Sequence, residues 1–502
     1  MAQPVLSRRL SSQDAAFLYM ESDEAPMHIG SIAVFDGEVS YERFVENISS
    51  KLHLIPRYRQ RIVSTPFNLA HPSWEFDPDF DISGHIKRVR IDSPGTDAQL
   101  IELASQLFAG ALDRSKPLWE LYMVEGLEGP RTAIVSRVHH CLVDGVSGID
   151  LLMVMLDVSA NPPPPVPPAH PYEPKPIPSR TARLFDGLWD ELANRLDRWA
   201  DIQKQFLDLT VMGDQSRLRS LTRALEVALP YFAVPVSRAP FNKGFSGERK
   251  LACSEFSFAE FRAIKQACGG TVNDVVLAIL GGALGRYLEM HGQSTDGRMM
   301  RILTPVNVRH EDERGSLGNR VSMLLVEVPV GVRDPVARLQ AIKERTETLK
   351  RSHAADGLEL AAEAIGDMPV PLQALFGMLP TPPNTLANMV CTNVPGPLIP
   401  LYTVGHRMLA HYPLIPIGWE MGIGCGVTSY DQKLYFGLMA DAGAAPDVAQ
   451  LKEFLDQAYI ELRAAAGVAK SDLPQMGVTA PAKKPRRRAA AASGEAIAAD
   501  AS

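Results

Sequence analysis

RVHHCLVDGVSGID, residues 137–150, sets two histidines side by side and an Asp-Gly pair four residues beyond the second. The preceding residues, RTAIVSRVHH (131–140), have the apolar, β-branched composition of a strand, in which side chains alternate between faces. Ile134, Ser136, Val138 and His140 then share one face, and Ala133, Val135, Arg137 and His139 the other. Neighbouring histidines therefore point opposite ways, and one at most faces a substrate channel. The other is suited to burial, hydrogen-bonded so as to hold the strand end. An imidazole takes up a proton near neutral pH, and a positioned base contributes ~10²–10⁴-fold in rate.

Past the strand, Asp144 either caps the next helix or pairs with an arginine to lock the loop, and Gly145 permits a turn too tight for a Cβ. Two histidines and an aspartate on opposed faces make a poor metal shell, so no metal is expected. Cys141 lies across the strand from His140, an unfavourable place for a nucleophile.

The chain has 502 residues, too many for one ordinary core, with 46% apolar and 22% charged residues, a globular profile. The five cysteines, at 141, 253, 268, 391 and 425, contain no CxxC pair, which argues against a zinc ribbon and a disulfide framework. A net charge of −7 argues against a nucleic-acid binder. No uninterrupted apolar run of roughly 18 residues marks a transmembrane helix. The N-terminal MAQPVLSRRLSSQDAAF lacks the apolar core of a secretory signal, so a cytoplasmic protein is expected.

Half of residues 161–180, NPPPPVPPAHPYEPKPIPSR, are proline; the segment lacks amide donors and reads as a semi-rigid extended crossover. It separates an N-terminal half (1–160), carrying the histidine pair, from a C-terminal half (181–467). Residues 468–502 contain the basic run AKKPRRR and an alanine-rich end, and read as a disordered tail. Strand and helix signals alternate in both halves. GSIAVFDG, LWELYMVEGL and RTAIVSRVHH are strands, and SYERFVENISSKL is a helix with a Ser40 cap and apolar Phe44, Ile48 and Leu52. GVSGIDLLMVML should be a buried helix.

In the second half RKLACSEFSF, MRILTPVNVR, VSMLLVEVPVG, NMVCTNVPGP and KLYFGLMAD read as strands. FAEFRAIKQACG, TVNDVVLAILGGALGRYLEMHG, DPVARLQAIKERTETLKRS and VAQLKEFLDQAYIELRAAAG read as helices. The segment 181–209 carries an apolar stripe from Phe185, Leu188 and Trp189 to Ile202, which either packs on its own domain or rests on a membrane. The expected fold is α/β, in two halves joined by the proline-rich crossover.

HHCLVDG fits the HHxxxDG pattern of the acyltransferases related to chloramphenicol acetyltransferase and to peptide-synthetase condensation domains. Over residues 6–465 the chain resembles the bacterial wax ester synthase/diacylglycerol acyltransferase family. LSSQDAAFLYMESDEAPMHIG resembles that family's start, DRSKPLWE its PLW motif, TVNDVVLA its ND motif and CTNVPGP its NVPGP segment. The resemblance implies two chloramphenicol-acetyltransferase-like α/β halves with a tunnel at their interface, where a long-chain acyl-CoA meets diacylglycerol or a long-chain alcohol. It implies His140 as general base and His139 as its support. Asp144 becomes a structural residue salt-bridged to an arginine, for which Arg309 is the candidate, with Gly145 completing the motif.

Asn273 and Asp274, of the ND motif, are either helix caps or residues placed at the substrate. Pro117–Glu120 and Asn393–Pro397 are expected to be structural. Direct transfer without an acyl-enzyme agrees with the lack of a GxSxG nucleophile elbow. No cofactor is implied beyond acyl-CoA as co-substrate. Such lipids scarcely dissolve, so peripheral attachment to the inner membrane face or to lipid inclusions is expected, through the 181–209 segment or the basic tail. Two rival readings remain: a condensation-type enzyme that takes its acyl group from a carrier protein, and a non-catalytic relative that coats inclusions.

Overall fold

The computed structural model describes residues 8–142, 154–164, 166–167, 172, 176–189, 236–307, 321–351, 368–378 and 386–471. All of these lie in the unit 1–471. Asp144, Gly145, Arg309, most of the helix expected over 145–156, the stretch 190–209 and the basic tail lie outside them.

The strands are β1 (His28–Asp36), β2 (Gln60–Val63), β3 (Ser73–Phe76), β4 (Ile86–Arg90), β5 (Trp119–Glu125), β6 (Arg131–His139), β7 (Arg249–Ser257), β8 (Met299–Asn307), β9 (Val321–Pro329), β10 (Met389–Val394), β11 (Tyr402–Thr403), β12 (His406–Leu414), β13 (Ile423–Tyr430) and β14 (Lys433–Asp441). The α-helices are α1 (Ser12–Met20), α2 (Tyr41–Lys51), α3 (Asp97–Phe108), α4 (Phe258–Cys268), α5 (Val272–Met290), α6 (Pro335–Arg351), α7 (Val370–Met378) and α8 (Val448–Ala465).

Two six-stranded mixed sheets result, ordered β11-β12-β1-β6-β5-β4 and β7-β14-β13-β10-β8-β9, with β2 and β3 as a separate ribbon. This is the α/β architecture in two sheets that the alternation of signals predicts. In the first half Ser40 accepts the Arg43 amide and caps α2, which buries Phe44 and Ile48 as its periodicity requires. In the second, α5 is buried almost all round, from Val275 to Leu288, and forms the centre of the largest apolar cluster with β8, β9, β13 and α8. Among the described residues no single helix is long and apolar enough to cross a membrane. The helices α4 and α5 have the length and composition for a span only when taken together, across a 97° bend.

Several segments beyond the proline-rich stretch lie against the first half, α7 on α1 among them, and two are tied to it by hydrogen bonds. Residues 180–189 are helical and lie on it: Arg183 donates to the Ser64 carbonyl at 2.8 Å, and Arg8 meets Asp186 at 3.3 Å. The second segment is β12, which pairs antiparallel with β1 from Gly30↔Leu414 to Phe35↔Met408. Where β12 ends it crosses onto β13 and β14 of the other sheet. Gly426 and Gly437 face each other there in the β13–β14 ladder. A Cβ on Gly437 would lie 1.9 Å from the Pro413 carbonyl oxygen, and one on Gly426 3.0 Å from it. Only glycine lets one backbone lie this close to another, so this pair sets where the crossing strand rests.

Candidate active site

Strand β6 stops at His139, one residue earlier than the sequence suggests, and His140 opens the turn that follows. The two imidazoles still part company. His139 is fully buried, whereas His140 is half-buried. Backbone bonds pin both: the His139 amide donates to the Leu118 carbonyl at 3.0 Å and the His140 amide to the Met27 carbonyl at 2.9 Å. The Cys141 amide donates to His139 Nδ1 at 3.1 Å. A ring nitrogen that accepts carries no proton, so Nε2 is the N–H of His139.

That N–H faces Glu21, the residue closing α1. Oε1 of Glu21 lies 3.3 Å from His139 Nε2, with 3% and 0% of the side chains exposed. The contact is a close polar one rather than a well-aligned hydrogen bond. Glu21 Oε1 also accepts the Met27 amide at 2.9 Å, and Oε2 accepts Arg114 Nη2 at 2.7 Å. Burial alone would raise the Glu21 carboxyl; the His139 N–H, the Met27 amide and Arg114 outweigh it and hold it at about 2. One turn back on the same helix, Phe17 stacks on His140, with ring centroids 3.9 Å apart and planes inclined by 12°. A single short helix therefore touches both histidines.

Around this knot lies a second buried polar group. His28 pairs with His139 across the β1–β6 ladder, and its Nε2 donates to the Phe108 carbonyl at 3.1 Å. Burial, reinforced by the nearby Arg137 charge, depresses His28 to about 3, so its imidazole is neutral. Arg137 donates to Glu120 at 2.5 Å, and Glu120 also holds Lys87 and the Tyr122 hydroxyl. Burial pushes the Glu120 carboxyl up, but these three donors bring it down to about 2. Cys141 is buried against Leu118 and Leu18, and burial drives its thiol well above the usual range. A thiol so held is no nucleophile.

The other motifs sort by what they touch. Asp274 is a helix cap: one carboxylate oxygen accepts the Thr271 amide at 2.7 Å and hydroxyl at 2.8 Å, and the other accepts the Thr346 hydroxyl at 2.7 Å. Both oxygens are engaged within the protein, in a capping box at the start of α5 and on Thr346. Its neighbour Asn273 differs: Oδ1 is buried with no hydrogen-bond partner among the described residues. Neither residue hydrogen-bonds to the histidine pair.

Trp119 of PLWE is fully buried, stacks on His85 with centroids 4.5 Å apart, and donates Nε1–H to the Tyr58 carbonyl at 2.8 Å. Gly396 of NVPGP donates its amide to Ser429 Oγ at 3.0 Å, a turn contact. Both motifs hold backbone, as expected. Phe17, Glu21 and His28 carry contacts to the histidines that no reading of the motif itself names. The available signal was local: Phe17 and Glu21 stand at i and i+4, one face of a helix.

Comparison with known proteins places these residues in a family. Residues 10–276 match the wax ester synthase/diacylglycerol acyltransferase catalytic domain, and residues 317–463 the WS/DGAT C-terminal domain. A Mycobacterium tuberculosis relative, provisionally named a diacylglycerol O-acyltransferase, is 32% identical over 470 residues, 91% of this chain and 98% of its own. A Mycobacterium bovis relative with the same provisional name is 31% identical over 476 residues, again 91% and 98%.

Among solved structures, the wax ester synthase/diacylglycerol acyltransferase of Marinobacter aquaeolei VT8 superposes with a TM-score of 0.64 at 24% identity, covering 92% of this chain and 100% of that one. The first condensation domain of the CDA synthetase superposes at 0.56 with 13% identity, covering 93% and 100%. At those identities the two structures show the fold, the paired chloramphenicol-acetyltransferase-like halves. The two domain matches and the full-length relatives go further: this chain belongs to the wax ester synthase/diacylglycerol acyltransferase family.

Proposed function

We propose that the protein transfers the acyl group of a long-chain acyl-CoA to the free hydroxyl of diacylglycerol, with long-chain alcohols as alternative acceptors. The observation that carries the reading is His140, the second motif histidine, half-buried just past the end of β6 while its neighbour is sealed into the protein. His140 acts as general base. The ring takes the hydroxyl proton as the oxygen bonds to the thioester carbonyl carbon, and the collapsing adduct breaks the carbon–sulfur bond. Coenzyme A leaves and takes up the proton from the imidazolium. No acyl-enzyme forms, a course supported by the buried, unreactive Cys141 beside the base. Asn273, whose buried oxygen has no hydrogen-bond partner among the described residues, lines the acceptor or donor path in a tunnel between the halves. Asp144 and Gly145 shape the loop that follows, with Arg309 as partner of Asp144.

The acceptors are lipids, so the protein works at the inner membrane face or on lipid inclusions, attached peripherally. The exposed side chains of Phe185 and Trp189, 71% and 72% accessible, and of Leu188 support attachment through the helical residues 180–189. Flotation with anionic vesicles checks this: Trp189→Ser with Phe185→Ser should lower the bound fraction, and removal of residues beyond Gly467 tests the basic tail separately.

The test of the reaction is purified protein with labelled palmitoyl-CoA, offered dioleoylglycerol or hexadecanol, beside a His140→Ala variant. Ester should form with the parent, and the variant should lose ~10²–10⁴-fold in turnover. Undiminished esterification by the variant removes His140 from the mechanism. Ester formation from a pantetheinylated carrier protein but not from acyl-CoA would favour the condensation-type alternative.

A further inference from the structure

The two histidines are touched by one helix, and the spacing matches. Ser11 caps α1 by accepting the Asp14 amide, and the helix ends at Glu21. Phe17 and Glu21 are four residues apart, which on a helix brings two side chains to one face. His139 and His140, adjacent at the end of an extended strand, diverge. Helix face and strand end thus meet as two contacts: Glu21 with His139 at 3.3 Å, Phe17 with His140 at 3.9 Å between centroids.

The helix is itself fastened to the same place. Met27, just before β1, gives its amide to Glu21 and receives the His140 amide on its carbonyl. Arg114 bridges the Leu18 carbonyl, at 2.8 Å, to Glu21. The backbone of His140 and the plane of its ring are therefore both fixed from α1 and the loop that follows it.

From this geometry we infer that Phe17 is a positioning residue for the base: its ring, laid flat on His140, sets the imidazole plane and hence the line along which the ring meets the acceptor hydroxyl. The inference rests on the role proposed above for His140. An imidazole turns about its Cβ–Cγ bond in a broad, soft well. A flat neighbour at 3.9 Å restricts that rotation. Misplacing a catalytic group by about 1 Å can cost ~10²-fold, so the effect should fall on kcat, whereas substrate capture relies on surfaces elsewhere.

The experiment compares Phe17→Leu, which keeps apolar bulk but removes the flat ring, with Phe17→Tyr, which keeps the ring. His140→Ala and the Phe17→Leu/His140→Ala double variant are assayed beside them with palmitoyl-CoA and dioleoylglycerol. Phe17→Leu should lower kcat by about 10- to 100-fold with KM for palmitoyl-CoA within about twofold of the parent. Phe17→Tyr should restore kcat, and the double variant should be no slower than His140→Ala alone. The inference is overturned if Phe17→Leu turns over as fast as the parent while His140→Ala is inactive, or if Phe17→Tyr falls as far as Phe17→Leu at unchanged Tm. Should His140→Ala itself remain active, the assignment of the base fails instead, and the two failures are told apart in one assay.

Discussion

The Glu21 carboxylate and the His139 imidazole meet at 3.3 Å in a place closed to solvent. Glu21 is held at about 2 against an ordinary 4.5, so the folded protein resists protonation there more than the unfolded chain does. Its contribution is complete above pH 4.5 and is lost as pH falls toward 2, because the unfolded state binds the proton first. The span corresponds to on the order of 3 kcal/mol. Urea denaturation of the parent should show this loss between pH 4.5 and 2, and Glu21→Gln should be less stable at pH 7 with a flatter profile. A steep acid limb retained in Glu21→Gln would assign it to other carboxylates, Glu120 foremost.

His28 gives a second pH dependence, in a higher window. Its folded value of about 3 lies below the ordinary 6.5, so stability is full above pH 6.5 and declines as pH falls toward 3. The mechanism is burial of an imidazole that must stay neutral. His28→Asn should flatten the change in urea midpoint between pH 7 and pH 4. An unchanged slope in that range would mean that His28 takes up its proton without cost.

The Gly426–Gly437 pair predicts a steric effect. Gly437→Ala places a methyl 1.9 Å from the Pro413 oxygen, a backbone atom with no rotamer to change. Overpacking of this kind costs about 1–3 kcal/mol, read as a fall in Tm. Gly84→Ala is the control, since nothing lies within 4 Å of its Cβ. Equal melting of the two variants would show that β12 can move aside.

Asn273 and Asp274 should separate by measurement. Asp274→Ala removes the cap and the Thr346 contact, and should destabilise by ~1–2 kcal/mol. Asn273→Ala removes a buried oxygen with no partner among the described residues, and should leave Tm unchanged or raised while lowering turnover. Loss of Tm without loss of turnover in Asn273→Ala would make it a second structural residue.

Local patterns were legible wherever one element makes its own signal. Phe44 and Ile48 show the helical period behind a serine cap, and β5 and β6 are rich in β-branched and aromatic residues. Less legible was β13, IGCGVTSY, buried at every position, because its glycines and cysteine carry no alternation. The end of β6 fell one residue early because pairing with His28 stops at His139, which is a property of β1 and not of β6.

Sequence alone determined the element types, the histidine pair and the family, since periodicity and motif spacing are properties of neighbours along the chain. Tertiary structure alone decided which partners those residues meet. Nothing local in HRMLAHYPL says that it joins β1 of the first half, and nothing in HHCLVDG says that Phe17 and Glu21 hold the pair. Those contacts join residues more than a hundred positions apart. They exist because burying apolar surface brings distant segments together, and no window on the sequence records which segments those are.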